Sequence, residues 1–321
     1  MKSVAVVIPA LNEAEHIQSN LMVIADTIRH VPNVRFTLMV VDDGSTDDTA
    51  ARVRASREQS SDSAVEIHLL SLNRHFGKES AIAAGLQACR HHDAVIVMDS
   101  DLQHPPVLIP EMISHWQHGA QVVEAVKSSR GNETRTRGLL VRGYYAMFNY
   151  LTRLSISDHT DFKLLDKDVV QACVNLPEHG RFFRGLVKWM NFPTQQLFFD
   201  VPESTRKRSV WGSGALFRYA IDSITSFTAF PLQVVTLLGG LTFLLSVVIG
   251  AMALYDKITG TAVDGFTTVI LLILLIGSVL MFSVGLIGIY IGRIYDEVKR
   301  RPNYLVNQRS STVSMPQRDA E

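Results

Sequence analysis

Val95-Ile96-Val97-Met98-Asp99-Ser100-Asp101-Leu102-Gln103-His104-Pro105-Pro106 decides the reading of this chain. An apolar run ends in two carboxylates one residue apart, then a carboxamide, then two prolines. Val95 to Met98 reads as a buried strand of a parallel sheet. The prolines stop it and begin a new segment. The acidic pair therefore falls at the carboxyl end of a strand, where open α/β sheets bind their ligands. Asp99, Asp101 and Gln103 alternate, so an extended turn would bring their oxygens onto one hard cation. Mg²⁺ or Mn²⁺ takes such ligands and shares them with substrate phosphates. A bare D-x-D is more often a solvated acidic turn; the rest of the chain decides between the two.

Upstream, Ser3 to Ile8 reads as a first strand, with Pro9-Ala10-Leu11-Asn12-Glu13 as the loop at its end and a helix to about Arg29. Thr37 to Val41 is a second strand ending in Asp42-Asp43-Gly44-Ser45-Thr46-Asp47. There Gly44 permits a tight turn, and Ser45 or Thr46 is expected to cap the next helix. A third strand runs from about Val65 to Leu72, followed by Asn73-Arg74-His75-Phe76-Gly77-Lys78. Ser80 to Cys89 is a helix of small residues, suited to close packing on a sheet. Gln121 to Val126 is a fifth strand. This alternation argues for a parallel, doubly covered sheet. Its loops bring Asn12-Glu13, Asp42-Asp43 and Asp99-Asp101 to one edge, a site by convergence. Neither a G-x-G-x-x-G turn nor a G-x-x-x-x-G-K-[ST] loop is present at the expected turns, against a dinucleotide or P-loop enzyme.

The 321 residues carry no net charge, so bulk charge points to no nucleic acid partner. Cys89 and Cys173 read as reduced core thiols. The start of the chain does not read as a signal peptide. Phe230 to Tyr255 and Phe266 to Ile291 hold no charged residue, and each is long enough as a helix to span a hydrocarbon core of about 30 Å. Arg206, Lys207, Arg208 and Arg218 precede the first, and Arg293, Lys299, Arg300 and Arg301 follow the second. The loop between them holds one Lys and two Asp. The positive-inside rule puts both termini and the α/β domain on the cytoplasmic side of the membrane, which the resemblance given below implies is a bacterial inner membrane.

Between these parts, residues 127–153 alternate basic groups with Leu139, Tyr144, Phe148 and Leu151 at helical spacing. They form either an ordinary amphipathic helix or one lying on the membrane surface. Asp161 precedes an alternating stretch and is either a turn residue or a group of the site. Residues 181–190 read as a helix, and the tail after Val306 as disordered. The resulting division is residues 1–205 for the catalytic domain, 206–229 for a basic loop and interfacial helix, 230–292 for a two-helix transmembrane hairpin and 293–321 for a cytosolic tail. Glu13 and Asp42 suit hydrogen bonds from a base and ribose; Lys78, Lys127 and Arg130 suit phosphates.

In these motifs the chain resembles the polyprenyl-phosphate glycosyltransferases of glycosyltransferase family two, a group that includes bactoprenol glucosyltransferases and dolichyl-phosphate mannose synthases. The likeness runs through Val7 to Glu13, Asp42 to Asp47, Leu72 to Lys78, Asp99 to Pro106, and Ile291 to Tyr304. It implies a GT-A fold and inverting transfer of one sugar, UDP-glucose being the default donor and undecaprenyl phosphate the acceptor. Pro9, Glu13 and Asp42 would hold the nucleoside, with Leu11, Asp43, Gly77, Lys78 and Ser100 completing the donor site. Asp99, Asp101 and Gln103 would hold Mg²⁺ or Mn²⁺ and the diphosphate. Lys127, Arg130, Arg137, Arg206 and Arg208 would meet the acceptor phosphate. Asp161 falls where relatives carry a proposed base, with Lys163 in place of the usual Arg. Ser204 and Lys207 depart from the R-x-x-G-x-S-K-Y-like element, whereas Ser209 and Trp211 fit it.

A lipid phosphate has a second pKa near 6 by analogy with phosphorylated side chains, so it is already a nucleophilic dianion at neutral pH. Asp161 is therefore expected to position the acceptor or sugar more than to remove a proton. A homo-oligomer, dimer or tetramer, is expected by the resemblance, and Gly239-Gly240 with Gly285 and Gly288 suit close helix packing. Other donors remain open: a UDP-hexosamine, a UDP-aminoarabinose derivative or GDP-mannose. A transport component is the alternative class, disfavoured by two spans without internal charge, and a silent scaffold is disfavoured by the intact acidic set. A processive polysaccharide synthase would carry a Gln-x-x-Arg-Trp motif and more spans, and the sequence has neither.

Overall fold

A computed structural model describes residues 1–59, 65–127, 159–176, 178, 182–199, 230–260 and 265–313. They divide into two compact units: one built on a sheet and including residues 302–313, the other holding two long helices. The first unit runs β1 (Lys2–Ala10), α1 (Ile17–Ile28), β2 (Val34–Asp42), α2 (Thr49–Gln59), β3 (Val65–Ser71), α3 (Lys78–Ala88) and β4 (Ala94–Val97). A 3-10 turn at Pro106–Leu108 leads into α4 (Ile109–Gln117). Then come β5 (Val122–Lys127), β6 (His159–Asp166), α5 (Lys167–Asn175), α6 (Phe183–Trp189) and β7 (Thr194–Phe199).

The strands form one sheet in the order β3-β2-β1-β4-β6-β5-β7. Val4, Val6 and Ile8 of β1 enter the core on one face, and Ala5 and Val7 the core on the other. Burial on both sides is why this strand is an unbroken apolar run rather than an alternating one. The helix of small residues packs closely, as its composition requires: a Cβ on Gly85 of α3 would lie 2.3 Å from Val7 Cγ1. Both cysteines are buried free thiols.

The sheet departs from the parallel expectation at one strand. β6 runs antiparallel to both β4 and β5, while β7 returns parallel to β5. β6 escapes a reading by hydrophobic pattern because its inward face carries charge. Lys163 is 1% exposed and pairs with Glu124 of β5, Nζ to Oε2 at 2.5 Å. Gln196 of β7 donates to the other Glu124 oxygen at 3.1 Å. Glu124 sits opposite Lys163 on one side and Gln196 on the other, so the three side chains form a polar row across three strands. Both ions of such a buried pair must be present, since removing one strands the other.

The tail also differs from expectation. Residues 305–312 lie along the edge strand β3 and the two residues that follow it. Val306 bridges Leu72 in antiparallel sense, the Asn307 N–H donates to the Ser71 carbonyl at 2.8 Å, and Thr312 exchanges bonds with Leu69 at 2.8 Å. Ser311 Oγ accepts the Ser71 N–H at 3.0 Å. Backbone and hydroxyl groups together satisfy an edge that would otherwise offer a pairing template. A polar, serine-rich sequence gives no hydrophobic signal for this.

The second unit holds α7 (Phe230–Thr259) and α8 (Phe266–Lys299), which pack against each other. Each contains a segment long and apolar enough to cross a membrane, Leu232–Met252 and Leu275–Lys299. A Cβ on Gly239, Gly240, Gly285 or Gly288 would meet nothing within 4 Å, so these glycines do not mediate helix packing among the described residues.

The loops after β2 and β3 meet at Gly44. Its φ is +73°, and a Cβ there would lie 2.3 Å from the Arg74 carbonyl carbon. Gly44→Ala combines a strained backbone with a collision against main chain and is expected to cost at least about 2 kcal/mol. Thermal unfolding followed by circular dichroism reads this as a fall of several degrees. An unchanged midpoint would show that the two loops part freely.

Candidate active site

Every parallel strand delivers its last residues to the same edge, and the antiparallel β6 delivers its first. Val97 of β4 pairs with Lys163. Asp99 lies two residues after Val97 and Asp161 two before Lys163, so the antiparallel register brings the two carboxylates level. The reversed strand thus carries a carboxylate from a distant segment to the acidic pair after β4.

The loops at this edge are tied by short hydrogen bonds. The Asn12 N–H donates to Ser45 Oγ at 2.9 Å, and the Thr46 N–H donates to Asn12 Oδ1 at 2.9 Å. The Glu13 N–H donates to Thr49 Oγ1 at 2.8 Å. Ser45 and Thr46 therefore bridge to the first loop instead of capping α2; Asp47 Oδ1 takes the Thr49 N–H at 3.0 Å. Asp43 accepts three donors, the His75 ring Nδ1 at 2.8 Å and the Phe76 and Gly77 amides at 2.8 and 2.9 Å. It gathers the loop after β3 and fixes the His75 tautomer with the proton on Nδ1.

After β4, Asn20 Nδ2 holds the Ser100 carbonyl at 2.7 Å, and the Asp99 N–H donates to His104 Nδ1 at 3.1 Å. His104 stacks on Phe162, centroids 5.3 Å apart, and burial lowers its pKa despite the neighbouring Asp99. An imidazole accepting at Nδ1 carries its proton on Nε2. The turn is not extended as the alternation suggests. Leu102 has φ +57°, and the Gln103 N–H closes onto Asp101 Oδ1 at 3.1 Å.

The edge encloses an open cleft of about 240 Å³. Of the residues expected to hold the donor, Pro9, Leu11, Glu13, Asp43, Lys78, Asp99, Ser100 and Asp101 line it. Asp42, Gly77 and Gln103 do not. Asp42 is buried, with Oδ1 accepting the Ser45 N–H at 3.0 Å, and Gly77 contributes its amide to Asp43. His75 is a lining residue to which the sequence reading gives no role. The side chain of Lys127, the last residue of β5, and the whole of Arg130, Arg137, Arg206 and Arg208 lie outside the described residues.

Asp161 is 4% exposed and joins the cleft through Lys78. Lys78 Nζ lies 2.7 Å from Asp161 Oδ2 and 2.5 Å from Asp99 Oδ1. Arg184 of α6 grips Asp161 from the other side, Nε to Oδ1 at 2.6 Å and Nη2 to Oδ2 at 2.9 Å. Burial alone would raise the Asp161 pKa. The Arg184 hydrogen bond and charge, with Lys78, overturn this and hold the carboxyl well below the usual range. For Lys78, burial is outweighed by Asp99 and Asp161, and its pKa rises. Arg184 is the charged group that sequence reasoning misses: it sits in Phe183-Arg184-Gly185-Leu186, which carries no motif signal of its own. Lys163, in the position usually held by Arg, is committed to Glu124 and not to the cleft.

The donor set suits a hard cation through Asp99 and Asp101, both lining the cleft. Among the described residues no three His, Cys, Asp or Glu side chains form a metal cage. Two carboxylates completed by substrate phosphates are how Mg²⁺ is commonly held.

Sheet and helices are GT-A-like, with carboxylates from several strand ends lining one cleft, and the class is a glycosyltransferase. Residues 5–173 match the family described as Glycosyl transferase family 2, and the chain belongs to it. It is 34% identical to the uncharacterized glycosyltransferase sll0501 of Synechocystis sp. over 94% of both chains. It is also 34% identical to the SfII prophage-derived bactoprenol glucosyl transferase of Shigella flexneri, covering 95% of this chain and 97% of that one. Among solved structures, M. tuberculosis glucosyl-3-phosphoglycerate synthase aligns over 70% of this chain and 80% of that one, at 22% identity and a TM-score of 0.48.

Glu79, next to Lys78, is pushed up from 4.5 to about 7 by burial and by the Asp161 charge. A carboxyl raised on folding contributes stability that is complete below 4.5 and is lost as pH rises through about 7. The melting temperature of the wild type is therefore expected to fall relative to Glu79→Gln across that window. Parallel pH curves for the two proteins would contradict the environment described for Glu79.

Proposed function

We propose that this glycosyltransferase moves glucose from UDP-glucose to a polyprenyl phosphate such as undecaprenyl phosphate, with inversion and dependence on Mg²⁺ or Mn²⁺. The product is a lipid-linked sugar for cell-envelope glycan modification. The observation that carries this reading is the near full-length likeness to bactoprenol glucosyl transferases in a chain whose acidic strand ends share one cleft.

In this reading Glu13 and Pro9 face the nucleoside, and Asp99 and Asp101 hold the cation. A bound cation supplies charge neutralisation for the departing diphosphate. The acceptor phosphate oxygen attacks the anomeric carbon from the face opposite the nucleotide. The bond from that carbon to the UDP oxygen breaks, and its electron pair stays on the β-phosphate. The acceptor is already a dianion at neutral pH, so no proton has to leave it. Asp161, ionised and clamped between Lys78 and Arg184, serves as a fixed anion that orients the sugar or acceptor. Lys127, Arg130, Arg137, Arg206 and Arg208 are the acceptor-phosphate candidates.

Membrane attachment through α7 and α8 follows from their length and composition. The basic flanks, set against residues 256–265 with one Lys and two Asp, favour a catalytic domain and both termini in the cytoplasm. The lipid acceptor then meets a water-soluble donor at the inner face.

The test is transfer by the purified chain to undecaprenyl phosphate, with label counted in the organic phase. Labelled UDP-glucose, UDP-galactose, UDP-N-acetylglucosamine and GDP-mannose are offered separately. Metal-dependent transfer from UDP-glucose is expected, with a loss of at least about 100-fold in Asp101→Ala, the scale for removing a group that stabilises developing charge. Transfer from another donor alone would replace the sugar assignment. Transfer that survives both chelation and Asp101→Ala would overturn the metal-site assignment.

A further inference from the structure

Glu79 touches neither the cleft nor any candidate ligand of the cation, yet its contacts lead to Asp161 by two routes. It follows Lys78 in the first turn of α3, and Lys78 meets Asp161 at 2.7 Å. Its own Oε2 accepts the Phe183 N–H at 2.8 Å from a residue 104 positions away. Phe183 is the first residue of α6, where an amide has no partner within its helix. Phe182, just before it, provides no side-chain cap. Glu79 caps this helix from another element, and the next residue along α6 is Arg184, which grips Asp161 through both oxygens. Asp161, Lys78, Glu79, Phe183 and Arg184 thus form a closed ring.

The ring has a geometric consequence. A bidentate guanidinium–carboxylate contact demands both distance and orientation. Arg184 reaches Asp161 from a short helix whose first amide, that of Phe183, is held by Glu79 at 2.8 Å. We infer that Glu79 is a positioning residue of this active site: by holding the Phe183 amide it sets Arg184 on Asp161, and so aims the anion that orients sugar or acceptor. The inference rests on the glycosyl-transfer reading above for what Asp161 does, but not for the ring itself.

The acceptor role needs an oxygen at the side-chain tip, not a charge. Glu79→Gln keeps that oxygen, and Glu79→Ala removes it. Two measurements on the full chain in detergent separate the ring from the reaction. The first is deuterium uptake of peptides spanning residues 182–189, with no substrate present. Uptake there is expected to be about tenfold faster or more in Glu79→Ala and unchanged in Glu79→Gln. The second is steady-state transfer. Glu79→Ala is expected to lower kcat about tenfold or more with the donor KM within about threefold, Glu79→Gln to recover most of it, and Glu79→Ala with Arg184→Ala to be no worse than Arg184→Ala alone.

A role confined to stability would lower the melting temperature without this split in kcat and KM and without the non-additivity. Unchanged uptake in Glu79→Ala, uptake in Glu79→Gln as fast as in Glu79→Ala, or additive kinetic losses would each overturn the inference. Should Glu79→Ala not fold, Glu79→Asp, one methylene short of the Phe183 amide, takes its place with the same expectations. A wild type that transfers no sugar would sink the functional reading, while the uptake measurement still decides the ring.

Discussion

A carboxylate almost wholly removed from water must be matched by cations, and Asp161 is matched by two. An unpaired charge in that position would cost several kcal/mol, roughly the penalty of burying an ion after relaxation. The demand for neutralisation therefore fixes three elements relative to one another: β6, which carries the anion, and α3 and α6, which carry Lys78 and Arg184. Lys78 extends the constraint to Asp99. The acidic strand end and the reversed strand are held as one electrostatic unit by the protein's own cations, the kind of preorganisation that charge-stabilising catalysis requires.

Around that unit the loops are set by side-chain acceptors. Asp43 draws in three donors from the segment after β3, Asn12 and Ser45 join the first two loops, and His104 seats the backbone of Asp99. Residues conspicuous as candidate ligands are thus partly committed to shaping the cleft. Asp42 and Asp43 differ in this respect: both are buried, but only Asp43 reaches the lining. The tail contributes at a distance by covering β3, whose far end leads into the loop that Asp43 organises.

What the sequence reveals here follows from pattern strength. The apolar run of β4 ending in Asp99 and Asp101, the glycine after Asp42-Asp43 and the small residues of α3 each carry a local signal, and each forms as read. β6 carries none. Its buried Lys163 is acceptable only because Glu124, remote in sequence, lies opposite it. Arg184 is one of two cations in α6, the other being Lys188, and only the fold shows that it meets Asp161. The left-handed Leu102 interrupts the extended turn that alternation suggests, and the Gln103 N–H folds back onto Asp101. The covering of β3 by Ser311 and Thr312 depends on hydroxyl and backbone bonds that no hydropathy pattern encodes.

In the proposed reaction Asp161 stays ionised and clamped while the acceptor's own dianion attacks. The most direct test is the pH dependence of kcat for transfer to a polyprenyl phosphate and to the matching phosphonate, whose second pKa is higher. On this account the acid limb tracks the acceptor, lying near about 6 for the phosphate and moving upward for the phosphonate. An acid limb at the same pH for both acceptors would show that a group on the protein removes the proton, and would contradict the account.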